Sequence, residues 1–397
     1  MGESILRGRL MVAACAGMAM FGVVLVLLGT LFGMPDMRAR LGLTDMVRQG
    51  SLQSVQFIGL LAATVVVGPL IDRFGNKLVL AVSSLLVTLA LLGFARADGY
   101  GAARLCAVIL GIGGGGLNTS TNVLVSDIYG DERGPQLNIL GIFFGVGALL
   151  VPVMVATLSA VFTVQQVIVA AAGLAAVCSV AYLALTFPPA REAHAFSLRG
   201  AVRVVGYPGV LLFALLLFFE SGNESAMVGW ISTWLGGAGA SAQVATLVLG
   251  VFQLGMMSGR MMGAYLLRFV SKPRLVLGSA LGGFAGCLVL FLGRSPVLGA
   301  IGVALAGLSF AAIYPTVLAI AGDRYQQMAG TVFGVLFSIA ITGAVIFPRL
   351  IGWMSQTSGV HSGTLLPLAG TVAICVIISV IMARDRTRAL APIANSQ

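Results

Sequence analysis

Charged residues are scarce in this chain. Of its 397 residues, only 9% are Asp, Glu, Lys or Arg, whereas 58% are hydrophobic. Soluble globular proteins carry about 25% charged residues, so the composition excludes a soluble globular protein. Apolar runs of about 20 residues recur between Leu10 and Met382, and roughly 10-residue alternating strands are missing. We therefore expect an all-α membrane protein that crosses the bilayer many times.

Clustered cysteines and intramembrane histidines are also lacking. The five cysteines lie singly in apolar runs, and His194 and His361 both lie in predicted loops. Metal sites and disulfide frameworks need these residues in groups. The spans also contain no His/Asp or His/Cys pair that could supply a base. The sequence thus predicts no metal, no cofactor and no enzyme activity.

Twelve predicted spans use most of the length. They lie near 10–35, 50–71, 78–97, 102–126, 136–160, 164–187, 207–235, 243–267, 273–293, 297–321, 329–353 and 364–383. The longest polar break, at 188–206, divides them six and six. We therefore expect an N-terminal six-helix bundle at 1–187, a cytoplasmic linker at 188–206 and a C-terminal six-helix bundle at 207–397.

The net charge of +10 is distributed unevenly over the predicted loops. Of the 23 Lys and Arg residues, 16 fall on the side of the N-terminus and 6 on the other, with Arg349 inside a span. Cytoplasmic loops carry the excess of Lys and Arg. This asymmetry predicts that both termini are cytoplasmic. It also explains the net positive charge of the chain without a nucleic-acid partner.

The two halves of the chain repeat each other. At an offset of 196 residues, Gly111 corresponds to Gly307, Asp127 to Asp323, Tyr129 to Tyr325, Gly147 to Gly343 and Pro152 to Pro348. One register across several spans indicates duplicated six-helix halves. Parallel repeats of this kind place a substrate site between them, near the middle of the membrane.

A charged turn follows the second predicted span. It reads Gly68-x-Leu70-x-Asp72-Arg73-x-Gly75-x-Lys77. Gly68 would permit close helix approach and Gly75 a tight turn, while the charges could latch the bundles together and release them. The alternative is a snorkelling cluster that only sets topology. In this position the motif resembles the signature loop of the major facilitator superfamily, which implies a transporter of two pseudo-symmetric six-helix bundles.

Four further segments resemble a narrower family. They are Gln53-Ser54-x-Gln56-Phe57-x-Gly59, Asn118-Thr119-Ser120-Thr121-Asn122, Phe219-Glu220-Ser221-Gly222-Asn223-Glu224 and Ile313-Tyr314-Pro315-Thr316. Together they are similar to the fucose–galactose–glucose:proton symporter family, which implies sugar uptake coupled to protons. The chain departs from that family at Asn118, Gly141 and Phe144, where the family often has acidic or more polar residues. Span 1 also lacks an acid. Either the substrate differs from a typical hexose, or its contacts and the coupling site have moved.

Glu220 and Glu224 are the candidates for proton coupling. They are four residues apart and share one face of span 7. Two close carboxylates cannot easily both stay ionised, which suits a proton carrier. Gly222 between them is a point where the helix could flex or a ligand approach. The alternative is a protonated or paired structural acid that holds span 7 to Gln253 or to another helix.

The candidate substrate-binding residues are amides and aromatic side chains within the spans. Amides both donate and accept hydrogen bonds, as sugar hydroxyls require, and aromatic rings could stack on the apolar face of a sugar. The alternatives are interhelical amide bonds and, for the tryptophan, an anchor at the membrane interface. The set is Gln53, Gln56, Asn118, Asn122, Asn223, Trp230, Gln253 and Tyr314.

Two arginines near the candidate site receive separate predictions. Arg260, near the end of span 8, is expected to snorkel or to latch the bundles rather than to bind a ligand. Arg349, inside span 11, could pair with an acid or with an anionic substrate.

The leading functional hypothesis is a proton-coupled secondary transporter of a small polar solute, a sugar by preference. The alternatives are a proton-coupled drug or metabolite antiporter of the same fold, which Phe143 and Phe144 would suit, and a uniporter. We expect a monomer in the lipid bilayer, as a multi-pass protein of a bacterial inner membrane.

The Gly111–Gly116 run lacks the strand and the Lys of a phosphate-binding loop. It predicts close helix packing instead.

Overall fold

The computed structural model describes residues 2–130, 133–159, 161–188 and 206–394, and in these ranges every regular element is a helix. Helices α1 to α6 are Gly2–Phe32, Pro35–Arg40, Met46–Arg96, Tyr100–Tyr129, Arg133–Leu158 and Val164–Ala184. Helices α7 to α13 are Pro208–Gly237, Ala242–Leu266, Lys272–Leu292, Pro296–Phe310, Ile313–Arg324, Ala329–Ser358 and Leu365–Ala394. Most of the predicted linker 188–206 lies outside the described residues, so the domain boundaries remain predictions.

Short polar loops fix where several helices begin. The carboxylate of Asp45 accepts a hydrogen bond from the Arg48 backbone N–H at 2.7 Å, which caps α3. Thr163 and Gln166 form a reciprocal capping box at α6, and Ser241 caps α8. Such side chains satisfy N–H groups that have no partner within the helix. The helices therefore start within a few residues of the predicted spans.

The 51-residue α3 contains two predicted spans. Gly75 interrupts it with φ 79° and ψ 158°, a backbone conformation that glycine adopts without steric cost. This confirms the predicted turn at Gly75. Eleven helices in the described residues are long and apolar enough to cross a membrane, and α3 accounts for two crossings. The structure thus confirms the all-α fold with twelve spans.

Span 10 differs from its prediction as one continuous helix. It consists of α10 and α11, which are separated at Ala311 and Ala312. Pro315 has no backbone N–H, and its ring clashes with the carbonyl four residues earlier, at Ala311. This accounts for the break, which places Tyr314 at the start of α11.

The predicted repeat appears in the helix packing. A Cβ at Gly111 would collide with the carbonyl oxygen of Gln56, and one at Gly307 would lie 2.6 Å from that of Phe252. Both members of the second contact lie 196 residues after those of the first. Gly147 and Gly343 likewise pack against the backbones of α1 and α7. The glycine run in α4 also lies against neighbouring helices, which confirms its predicted packing role.

Candidate functional site

Two carboxylates lie one helical turn apart on α7. Glu220 is 1% exposed, neither of its oxygens has a hydrogen-bond partner, and Glu224 is half-buried. Gly222, between the two carboxylates, packs against another helix. A Cβ there would lie 2.7 Å from the ring of Phe347 on α12. A buried, unpaired carboxylate is costly when ionised, so this site suits a group that takes up and releases a proton.

Arg260 is a charged residue that the sequence did not place in the site. It interacts electrostatically with both Glu220 and Glu224, and its guanidinium lies 5.5 Å from the ring centroid of Phe144 on α5. The ion pairs found among the described residues do not include one between Arg260 and either Glu220 or Glu224. Because its contact with Phe144 joins α8 to α5 of the other bundle, Arg260 lies where a latch would act, and its predicted role stays a prediction.

A sequence signal for Arg260 did exist. It lies seven residues after Gln253, and two helical turns bring both residues to the same face of α8. Its position near the predicted end of the span obscured this relation. Arg349, by contrast, is exposed on α12.

Aromatic rings surround the charged groups. Tyr314 interacts electrostatically with both carboxylates, and one face of its ring is stacked on Phe337 at 6.3 Å between centroids. Phe21 packs on Phe144 at 5.4 Å, which joins α1 to α5.

Five predicted ligand residues are almost completely buried and keep a polar atom without a partner. Gln53 donates to the Ser225 carbonyl at 2.7 Å and Gln56 to the Val24 carbonyl at 2.6 Å, but their Oε1 atoms are unpaired. The same holds for side-chain atoms of Asn223, Trp230 and Gln253. Trp230 is 0% exposed, so it is not an interface anchor. A buried polar group without a partner costs about 1–3 kcal/mol.

Asn118 and Asn122 lie on α4 in the first bundle. Both are half-buried, and the Asn122 side chain donates to the Asn118 backbone carbonyl at 2.8 Å. Their side chains are 3.3 Å apart, which agrees with the shared helix face that their spacing predicts. The two amide groups therefore lie next to each other on one face of α4.

The two bundles are in close contact where α3 begins and α12 ends. Gln49 donates to Thr233 at 2.7 Å, Ser54 donates to the Val345 carbonyl at 2.6 Å, and Gln356 accepts from the Met46 backbone at 3.0 Å. At Gly50 a Cβ would collide with the Pro348 carbonyl oxygen. These contacts close one end of the molecule, and we refer to them as the interlock.

The charged turn of α3 lies at the opposite end of that helix's first half. Among the described residues, Gly68 has no atom within 4 Å of where a Cβ would stand, so they show no close helix approach there. Asp72 is half-buried, and Arg73 is exposed. In the second half, Lys272 pairs with Asp323 at 2.5 Å, and both side chains are solvent-accessible.

Comparisons with known proteins agree with the fold. A family model described as Major Facilitator Superfamily matches residues 9–348. The glucose/mannose transporter GlcP of Bacillus subtilis is 24% identical over 359 residues, which are 84% of this chain and 85% of that protein. Human synaptic vesicle glycoprotein 2B is 34% identical over 109 residues, but these are only 27% of this chain and 16% of that protein.

Solved structures are similar along nearly the whole chain. The nucleoside transporter NupG, in a D323A mutant, has a TM-score of 0.78 at 16% identity and covers 95% of this chain and 99% of its own. The transporter FucP in the outward conformation has a TM-score of 0.63 at 18% identity, with 93% and 97% covered. At these identities the likeness establishes the fold.

Proposed function

The chain belongs to the Major Facilitator Superfamily and is a multi-pass membrane transporter. We propose that it carries a small polar solute together with protons, and that this solute is a sugar. The unpaired polar atoms in its interior support this proposal most strongly. Gln53, Gln56, Asn223, Trp230 and Gln253 all keep unpaired atoms and come from both bundles. A polyhydroxylated solute could satisfy donors and acceptors of this kind. Glucose and mannose transport by a relative of similar length agrees with it.

Glu224 carries the coupling proton in this proposal, and Glu220 is its neighbour. Both acids lie in the same interior as Arg260, whose guanidinium contacts the Phe144 ring of the other bundle. The half-buried position of Glu224 gives it the access that proton exchange requires, whereas Glu220 is shielded.

Transport proceeds by alternating access between the bundles. With both termini in the cytoplasm, the interlock lies at the outer end of the bundles. Opening to the outside requires the hydrogen bonds of Gln49 and Ser54 to break. We propose that the protein works as a monomer in a bacterial inner membrane.

An antiporter for organic cations is the second candidate function. Several phenylalanines lie around the carboxylates, and Phe218, Phe219 and Phe347 pack edge to face. Aromatic faces and carboxylates attract organic cations. Arg260 argues against an organic cation as substrate, because its own positive charge lies in the same interior, over the Phe144 ring.

Ligand-induced thermal stabilisation separates these functions. The purified protein is titrated with hexoses, with nucleosides and with a lipophilic cation such as tetraphenylphosphonium. We expect a hexose to raise the melting temperature in a saturable manner. Stabilisation by the cation alone would favour the antiporter.

The topology predicts where reporter fusions become active. A cytoplasmic reporter joined after Gln397 should be active, and so should one inserted within 188–206. A fusion in the loop between α1 and α3 serves as the external control. An external location for either of the first two fusions would contradict the proposed orientation and the assignment of the interlock to the outside.

Asp72→Asn should slow transport more than it weakens substrate binding. The turn lies far along α3 from the interlock, so we expect its charge to act on the exchange between conformations. Initial uptake rates and binding by thermal shift measure the two effects separately. Asp323→Asn, at the corresponding turn of the second half, is the matched comparison. Unchanged uptake by Asp72→Asn would mean that the turn only sets topology.

Asn118→Ala and Asn122→Ala should each weaken sugar binding by roughly 1–3 kcal/mol, because a ligand hydroxyl would be left without its partner. Isothermal titration of the identified sugar measures the change. Thr119→Ala, on the same half-buried stretch of α4, is a control for general disturbance of the helix. Equal affinity in all three variants would remove the α4 amides from the site.

A further inference from the structure

A cavity outside the candidate site lies between the two halves of α3 and α4. It is a groove of about 430 Å³ with an almost entirely apolar lining. Val66 and Phe74 come from the first half of α3, Leu78 and Val82 from the second half and Ile112 from α4. Val66 is 51% exposed and Phe74 50% exposed. In a membrane-spanning bundle, side chains exposed to this degree face the lipid, so the groove opens on the bilayer.

The length of the groove matches one leaflet of a membrane. Its wall on the first half of α3 runs from Ala62 to Phe74, which corresponds to about 18 Å at the rise of an α-helix. Half of the hydrocarbon core is about 15 Å thick. A groove of this length can accommodate one acyl chain that lies along the helix.

Among the described residues, positive charge lies at the Phe74 end of the groove. The Arg73 guanidinium is 5.1 Å from the ring centroid of Phe74, which lines the groove. Lys77 directly precedes Leu78, another lining residue, and is half-buried. Asp72 lies in the same turn, so the three side chains together carry one net positive charge. The remaining lining is apolar apart from Ser83.

We propose that this groove binds an anionic phospholipid. One acyl chain fills the apolar recess, and the headgroup phosphate lies against Arg73 and Lys77. The guanidinium can donate two hydrogen bonds to phosphate oxygens while it remains stacked on Phe74. The combination of a recess and a charged end distinguishes the site from the general lipid-facing surface, where acyl chains meet apolar side chains alone.

Native mass spectrometry of the detergent-purified protein tests the proposal. The full chain is incubated with equal amounts of phosphatidylglycerol and phosphatidylethanolamine, and the retained lipid is counted under increasing activation. We expect preferential retention of phosphatidylglycerol. The double variant Arg73→Gln/Lys77→Gln should lower its retention by roughly an order of magnitude, because each basic residue near a membrane surface contributes severalfold to anionic-lipid binding.

Two further variants separate the recess from the charges. Ala62→Trp, at an exposed lining position, fills the groove and should reduce the retention of both lipids at this site. Arg268→Gln/Arg274→Gln removes two charges at the corresponding turn of the second half and should leave retention unchanged. Elution on size exclusion verifies that each variant is folded. Equal retention of the two lipids by the unmodified protein, or undiminished phosphatidylglycerol in either groove variant, would overturn the proposal.

Discussion

Glu224→Gln abolishes uphill uptake but preserves counterflow exchange. Glutamine keeps the size and polarity of the side chain but cannot release a proton. Net transport against a gradient requires the proton to enter and leave, whereas exchange of substrate for substrate does not. In proteoliposomes with an inward proton gradient, we expect accumulation to fall to the equilibrium level. Exchange of labelled for unlabelled substrate should continue at a substantial rate.

Two further variants serve as the control and the comparison for Glu224→Gln. Asp98→Asn removes an acid from an exposed loop position and should leave accumulation unchanged. Glu220→Gln should retain accumulation and shift its pH dependence, because it removes the second carboxyl group one helical turn from Glu224. Full accumulation by Glu224→Gln would place the coupling site elsewhere or make the protein a uniporter.

Gly50→Leu stops the transport cycle because the interlock can no longer close. The new side chain would collide with the Pro348 carbonyl of the other bundle, and backbone atoms cannot move aside as a flexible side chain could. Overpacking of this kind typically costs about 1–3 kcal/mol, which lowers the ratio of closed to open form by roughly 5- to 150-fold. We expect uptake to fall by a factor in this range.

The substitution leaves the packing within each bundle unchanged, since the collision lies between bundles. Binding measured by thermal shift should therefore persist while uptake is lost. Gly173→Leu is the matched control, because a Cβ at Gly173 meets no atom within 4 Å, and its uptake should be normal. Normal uptake by Gly50→Leu would show that closure of this end is not part of the cycle.

Much of the fold could be predicted because membrane spans are specified locally. Apolar runs of sufficient length determine the helices, and Gly75 marks the turn within α3 through its backbone conformation alone. The pairing of Gly111 with Gln56, and of Gly307 with Phe252, follows from the repeat. The break at Ala311 was missed because proline often occurs in membrane helices without ending them.

The candidate site was predicted only in part, because side-chain partners depend on packing between distant helices. The sequence identified polar side chains within spans, but it could not indicate that Gln53 donates to Ser225 of α7. The partner of Arg260 could not be predicted for the same reason, since its contact with Phe144 crosses from one bundle to the other. The position of Arg260 near the predicted end of span 8 suggested the membrane boundary, whereas in the structure its guanidinium lies over the Phe144 ring.

Uptake by the purified protein in proteoliposomes tests the central claim most directly. A panel of labelled hexoses is supplied outside vesicles whose interior is alkaline, with and without a protonophore. The account predicts that at least one hexose accumulates above its external concentration and that the protonophore reduces this accumulation to equilibrium. If every hexose is excluded, or one equilibrates at a rate and level indifferent to the proton gradient, proton-coupled sugar transport is contradicted.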